Sequence, residues 1–193
     1  MNQADIKQIP ELYPQLVEKC QSIGFTMPSD IYIGTLLKSL VASKPQGRFL
    51  ELGTGIGLSL VWMIEGLDAH STLISIDNDK ELIAIATAYF GQNQQVELVS
   101  VDGGKWLDHY QGEPFDILFA DAWPGKYSHL DKALSLVKVG GFYIIDDMKP
   151  QPNWPEGHAE KADQLLEYLE SLENFVLTKM DWSTGVVLMT KIK

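Results

Sequence analysis

The chain predicts an α/β fold, a mostly parallel seven-stranded sheet that finishes in an antiparallel C-terminal hairpin, with helices on both faces. Three observations carry that expectation. Short apolar runs alternate with amphipathic helical runs along most of the 193 residues. A glycine-rich turn, Gly53-Thr54-Gly55-Ile56-Gly57, joins an apolar strand to a helix. Successive strands end on aspartate, and in an open parallel sheet ligands bind beyond the carboxyl ends of the strands.

Taken in order, Ile6 to Ile23 and Asp30 to Val41 read as helices, with Ser29 placed to cap the second. Arg48 to Leu52 is a strand that enters the glycine turn, and a helix follows from Leu58 to Glu65. Thr72 to Ile76 is a strand ending on Asp77. Asp79 caps the next helix, whose apolar side is Leu82, Ile83, Ala86, Tyr89 and Phe90, and Gly91 stops it.

Val96 to Val101 is a strand ending on Asp102, and Phe115 to Ala120 one ending on Asp121. A helix from Ser128 to Val137 buries Leu130, Ala133, Leu134 and Val137. Gly140-Gly141 turns the chain into the strand Phe142 to Ile145, which ends on Asp146 and Asp147. Pro150 to Gly157, rich in proline, is a loop; His158 to Leu172 is an amphipathic helix. Phe175 to Trp182 and Gly185 to Ile192, joined by Ser183-Thr184, form the hairpin at the sheet edge.

Fifteen basic against 26 acidic side chains give a net charge of -11. Nucleic-acid affinity comes largely from Lys and Arg neutralising phosphates, so this balance argues against a nucleic-acid partner and for a small-molecule substrate. One cysteine, Cys20, allows neither an internal disulfide nor a thiolate cluster, and reads as a buried core residue. No basic-then-apolar leader opens the chain and no run approaches membrane-spanning length, so the expectation is a cytoplasmic protein without a membrane partner. The whole of 1–193 reads as one domain, with helices in 1–45 covering the site and a cofactor-binding core in 46–193.

The glycine turn has rivals to weigh. A dinucleotide fingerprint needs glycine at the position of Leu58, and a phosphate loop needs a lysine after the turn, which is missing. What stands is Phe49-Leu50-Glu51-Leu52-Gly53-Thr54-Gly55-Ile56-Gly57-Leu58-Ser59. This segment resembles motif I of the class I S-adenosylmethionine-dependent methyltransferases, with their Rossmann-like fold. The likeness is to the branch that contains catechol O-methyltransferase. It continues through Asp77, Asp102-Gly103, Phe115 to Trp123 and Gly141 to Asp147 in the family's order.

The resemblance implies a cofactor, S-adenosylmethionine, and a small, aromatic hydroxyl acceptor. It implies that Glu51, Gly53, Thr54 and Gly55 shape the pocket for the methionine half and that Ser59 contacts its carboxylate. Asp77 would hold the ribose hydroxyls, a role suited to a carboxylate facing a vicinal diol. Asn78 would lie beside the adenine, with Asp102 and Gly103 near its amino group.

The resemblance also implies a divalent site, for Mg²⁺ or a similar hard cation, at Asp121, Asp146 and Asp147. Asp147 stands where the family usually has asparagine. Pro124 stands where many metal-dependent members carry a lysine base, and the nearest lysine is Lys126. Lys126 is therefore either a substitute base or a solvated surface residue. Without a metal, Asp121 would face the cofactor's amino group while Asp146 and Asp147 cap the next loop.

His158 is either a base or simply the first residue of its helix; Trp154 is either a pocket wall or a packing residue. Trp106 and Trp123 are expected near the rim, and Tyr32 with Gly34-Thr35 is placed to close over a substrate. Catalytic candidates are thus Asp121, Lys126 and His158. Rival functions are a metal-independent O- or N-methyltransferase, a dinucleotide oxidoreductase, and a non-catalytic cofactor-binding protein. Related enzymes suggest a homodimer.

Overall fold

The computed structural model describes residues 2–152 and 154–193. Five parallel strands form most of one seven-stranded sheet: β1 (Arg48–Leu52), β2 (Thr72–Asp77), β3 (Val96–Ser100), β4 (Phe115–Ala120) and β5 (Val137–Ile145). β6 (Phe175–Met180) and β7 (Val186–Lys191) pair antiparallel, and β7 also pairs antiparallel with β5. The order is β3-β2-β1-β4-β5-β7-β6. After β3 the chain crosses back to the other side of β1, so β1 and β4 flank the point where the winding direction reverses. In open α/β sheets that crevice is where ligands bind.

Strand alternation sorts two cores. Phe49, Ile117, Phe119 and Ile144 point to one face, where they pack with α1 (Tyr13–Ile23), α2 (Ile31–Ala42), α3 (Leu58–Gly66) and α4 (Lys80–Phe90). Leu50, Leu118, Tyr143 and Ile145 point to the other, against α5 (Gly103–His109), α6 (Leu130–Ser135) and α7 (His158–Glu170). Cys20 is buried in the first core. Among the described residues no helix is long and apolar enough to cross a membrane.

Several boundaries differ from expectation for local reasons. α1 starts at Tyr13, not Ile6, because Pro10 inside a helix begun at Ile6 would clash with the carbonyl four residues back. Asp30, not Ser29, caps α2: its Oδ1 accepts from the Tyr32 and Ile33 amides at 2.8 and 3.0 Å. β3 stops at Ser100, and Asp102 instead caps α5, a seven-residue helix too short to show an apolar periodicity. α6 ends at Ser135, and β5 already starts at Val137. Its pairing with β4 jumps from Phe115↔Val137 to Ile117↔Phe142, so Gly140-Gly141 sits in a bulge within the strand.

Candidate active site

The first wall of the site is main chain. Gly53, Gly55 and Gly57 adopt φ of 103°, 52° and 100°, the left-handed region that favours glycine. At Gly53 there is also no room: a Cβ would lie 2.5 Å from the Asp121 carbonyl oxygen. The Gly53 amide donates to the Ile76 carbonyl at 2.8 Å, and the Gly55 amide to Asp77 Oδ2 at 2.8 Å. Asp77 Oδ1 accepts from the Asp79 amide at 2.9 Å. One carboxylate at the end of β2 therefore fixes the turn after β1.

Beneath this turn lies a buried polar chain. Glu51 is fully buried; its carboxyl accepts from the hydroxyls of Ser59 and Ser75, and Ser75 is also bonded to Thr54 at 2.6 Å. Burial first, opposed by those two hydrogen bonds, raises the Glu51 pKa to about 7. Glu51 shapes the turn from below and does not line the cavity. Ser59 does line it, with its single hydroxyl proton already given to Glu51.

Above the turn a cavity of about 620 Å³ runs from Asp77, Asn78 and the glycine turn to Asp121, Lys126, Asp147, Trp154 and His158. A smaller one of about 260 Å³ shares Gly53, Asp77 and Asn78 with it and adds Asp102 and Gly103. The cofactor-side candidates thus converge, with Glu51 one layer down. Asp102 is the least committed to the cavity, since its Oδ1 caps α5 through the Lys105 amide at 2.9 Å.

The second wall is side chain. Trp123, Tyr127, Trp154 and His158 form an aromatic cluster: His158 lies 4.4 Å from Trp154 and 5.2 Å from Tyr127, centroid to centroid. The Tyr127 hydroxyl and His158 Nε2 are 3.2 Å apart. Burial, then the Lys126 and Lys161 charges, hold the His158 pKa below its ordinary 6.5. Lys126 is buried, not a surface residue; its Nζ donates to the carbonyl oxygens of Asp146 at 2.6 Å and Asp147 at 3.4 Å.

The three carboxylates do not assemble into a metal centre. Among the described residues no group of three His, Cys, Asp or Glu side chains comes together to hold an ion. Asp146 is buried off the cavity, and its Oδ1 accepts from the Thr184 hydroxyl and, at 2.8 Å, from the Asp147 amide. Asp147 takes φ 52°, a conformation that Asp and Asn tolerate better than most residues. Asp121 lines the cavity and accepts from the Ser29 hydroxyl at 3.1 Å. Its desolvated position, and then Asp146 and Asp147, push its pKa well above the ordinary carboxylate value. The donor set present therefore does not fit the implied Mg²⁺.

Other expectations shift as well. Trp106 stacks on Tyr110 at 4.4 Å, away from the cavity. Tyr32 packs on Trp182 at 5.6 Å, and Gly34 lies against the Trp62 ring. The connection Phe25 to Ser29, rather than α2, lines the cavity, as do Tyr127 and Thr184. No spacing in the sequence marked these; only the tertiary path of the chain brings them in.

The geometry defines an open α/β ligand-binding fold with its cavity at the switch point. A model of the O-methyltransferase family matches residues 7–180, and the chain belongs to that family. Catechol O-methyltransferase B of Danio rerio is 28% identical over 125 residues, which is 60% of this chain and 47% of that protein. A Mycolicibacterium vanbaalenii protein named for O-methyltransferase is 27% identical over 118 residues, 58% of this chain and 52% of its own. The chain thus spans about half the length of the curated relatives it matches. Among solved structures, TomG of Streptomyces achromogenes, an O-methyltransferase in complex with SAM, superposes with a TM-score of 0.81 at 22% identity, covering 98% of this chain and 93% of that one. The O-methyltransferase of Bacillus cereus in complex with SAH gives 0.80 at 19% identity, covering 98% and 94%. At these identities the likeness is one of fold.

Proposed function

We propose that this protein is an S-adenosylmethionine-dependent O-methyltransferase acting on a small aromatic hydroxyl acceptor. The observation that carries the reading is the continuity of the cavity, from the Gly53–Gly57 turn and Asp77 at one end to the aromatic cluster at the other. The residues fit the cofactor. Asp77 uses one amide bond per oxygen to order the turn, and a carboxylate has about four lone-pair sites, which leaves acceptor capacity for a ribose diol. Asn78, Asp102 and Gly103 would flank the adenine in the smaller cavity, and Gly53 to Gly55 the methionine half.

Bound there, S-adenosylmethionine supplies a methyl carbon activated by a sulfonium. The chain's own contribution is to hold an oxygen in line with it, since positioning is the main device for such a transfer. Trp123 and Trp154 would clamp a flat acceptor, an arrangement that suits ring-on-ring packing. His158, kept neutral near pH 7 by its lowered pKa, would take the hydroxyl proton, with Tyr127 fixing the imidazole. Asp121 would face the positive end of the cofactor.

The test is transfer of a labelled methyl group from S-adenosylmethionine to a panel of phenols, catechols and aliphatic alcohols. Labelled product from phenolic acceptors supports the reading. Tight cofactor binding with no transfer to any acceptor favours a binding protein instead. The family's fold alone does not fix the chemistry.

A further inference from the structure

The acceptor end of the cavity contains a cation of its own. Pro124-Gly125 makes a tight turn in which Gly125 adopts φ 87° and its carbonyl accepts from the buried Tyr143 hydroxyl at 2.6 Å. This turn folds Lys126 inward, leaving it 5% exposed but still on the cavity wall. An ammonium has three donors. Two go to the Asp146 and Asp147 carbonyls, and among the described residues no carboxylate closes on the third as a contact ion pair.

Two of the carboxylates around it are bonded to other partners. Asp146 is bonded to Thr184 and the Asp147 amide, and Asp121 to Ser29. Burial is the largest influence on Lys126 and lowers its pKa; Asp121, Asp147 and Asp146 oppose it through space and favour the charged form. A buried cation surrounded by carboxylates and carbonyls is stable where an isolated one is not.

We propose that the Lys126 ammonium is the resident cation of the acceptor site, in the place a divalent metal would hold, so that methyl transfer needs no metal. The proposal rests on the methyltransferase reading for its chemistry, though not for its geometry. The acceptor hydroxyl gives its proton to His158, and an oxygen lone pair forms the bond to the methyl carbon. The sulfur–carbon bond breaks with its electron pair going to sulfur, so the sulfonium becomes a thioether. Lys126 keeps its proton throughout and donates its third N–H to the oxygen as negative charge develops there. Its distance from the main chain is fixed by two carbonyls, which is what a metal's ligands would otherwise provide.

The test is a titration of Mn²⁺, followed by paramagnetic resonance, into the full chain and its Lys126→Met and Lys126→Arg variants, each repeated with Asp121→Asn added. The proposal expects no Asp121-dependent Mn²⁺ binding to the wild type or Lys126→Arg. It expects Lys126→Met to acquire such binding, with a dissociation constant of about 1 mM or tighter, once the carboxylates lose their compensating charge. Asp121-dependent binding to the wild type overturns it, and so does a folded Lys126→Met that gains none. If Lys126→Met does not fold, Lys126→Gln replaces it and the wild-type titration still decides. A parallel titration with S-adenosylhomocysteine keeps the two readings apart: its failure would sink the methyltransferase assignment and leave the Mn²⁺ result intact.

Discussion

On the β1–β2 side of the cavity the wall is backbone: three left-handed glycines, amides given to Ile76 and Asp77, and a buried Glu51 beneath. On the β4–β5 side it is side chains: Trp123, Lys126, Tyr127, Trp154 and His158, drawn from two loops and a helix start. The first construction suits a ligand that never changes, because backbone positions tolerate few substitutions. The second is open to change, since loop side chains can be replaced without disturbing the sheet. Trp123 is 48% exposed although it forms part of the proposed wall, whereas Glu51 is wholly buried.

Substitutions should break the two sides in different ways. The largest effect is expected at Gly53→Val, where left-handed φ and the 2.5 Å approach to the Asp121 carbonyl coincide. It should cost more than about 3 kcal/mol, read as a lowered midpoint of chemical unfolding, and abolish cofactor binding. Glu51→Gln comes next. Between the ordinary 4.5 and about 7 the folded state holds the Glu51 proton more tightly than the unfolded state, so wild-type stability falls as pH rises through that window. The drop attributable to this group is roughly 3 kcal/mol, and the variant should lose that part of the slope while keeping its fold. An unchanged slope would remove Glu51 as its source.

Asp77→Ala should weaken S-adenosylhomocysteine binding by about 1–3 kcal/mol, through the lost diol bonds and the loosened Gly55 amide. Unaltered affinity in a folded variant would take Asp77 out of the site. The smallest effect belongs to the side-chain wall: Trp123→Ala should leave stability unchanged and raise KM for a phenolic acceptor by about fivefold, a loss of about 1 kcal/mol. If it instead lowered cofactor affinity, the division between the two walls would be wrong.

The same division governs how much could be read in advance. The glycine turn and Asp77 follow from spacing within a few residues, and alternation of apolar runs exposes the sheet. α5 was missed because seven residues with one capping aspartate carry little periodic signal. The bulge at Gly140-Gly141 hid the start of β5, for two glycines read as the end of one element and the beginning of another. Lys126 could be picked out as a lysine near Asp121. Its burial depends on the Pro124-Gly125 turn and the Tyr143 anchor, contacts that no local pattern encodes. The family resemblance implied a metal centre at Asp121, Asp146 and Asp147. Hydrogen bonds to Thr184 and the Asp147 amide, visible only in three dimensions, give Asp146 another role.

The most direct measurement is a calorimetric titration of S-adenosylhomocysteine into the full chain, with NAD as the competing ligand. One site with a dissociation constant of about 1–100 μM, in the range of ordinary enzyme ligands, and no comparable heat from NAD is the predicted result. No binding of S-adenosylhomocysteine, or tighter binding of NAD, would contradict the assignment of the Gly53–Gly57 turn and Asp77 to a methyl-donor cofactor.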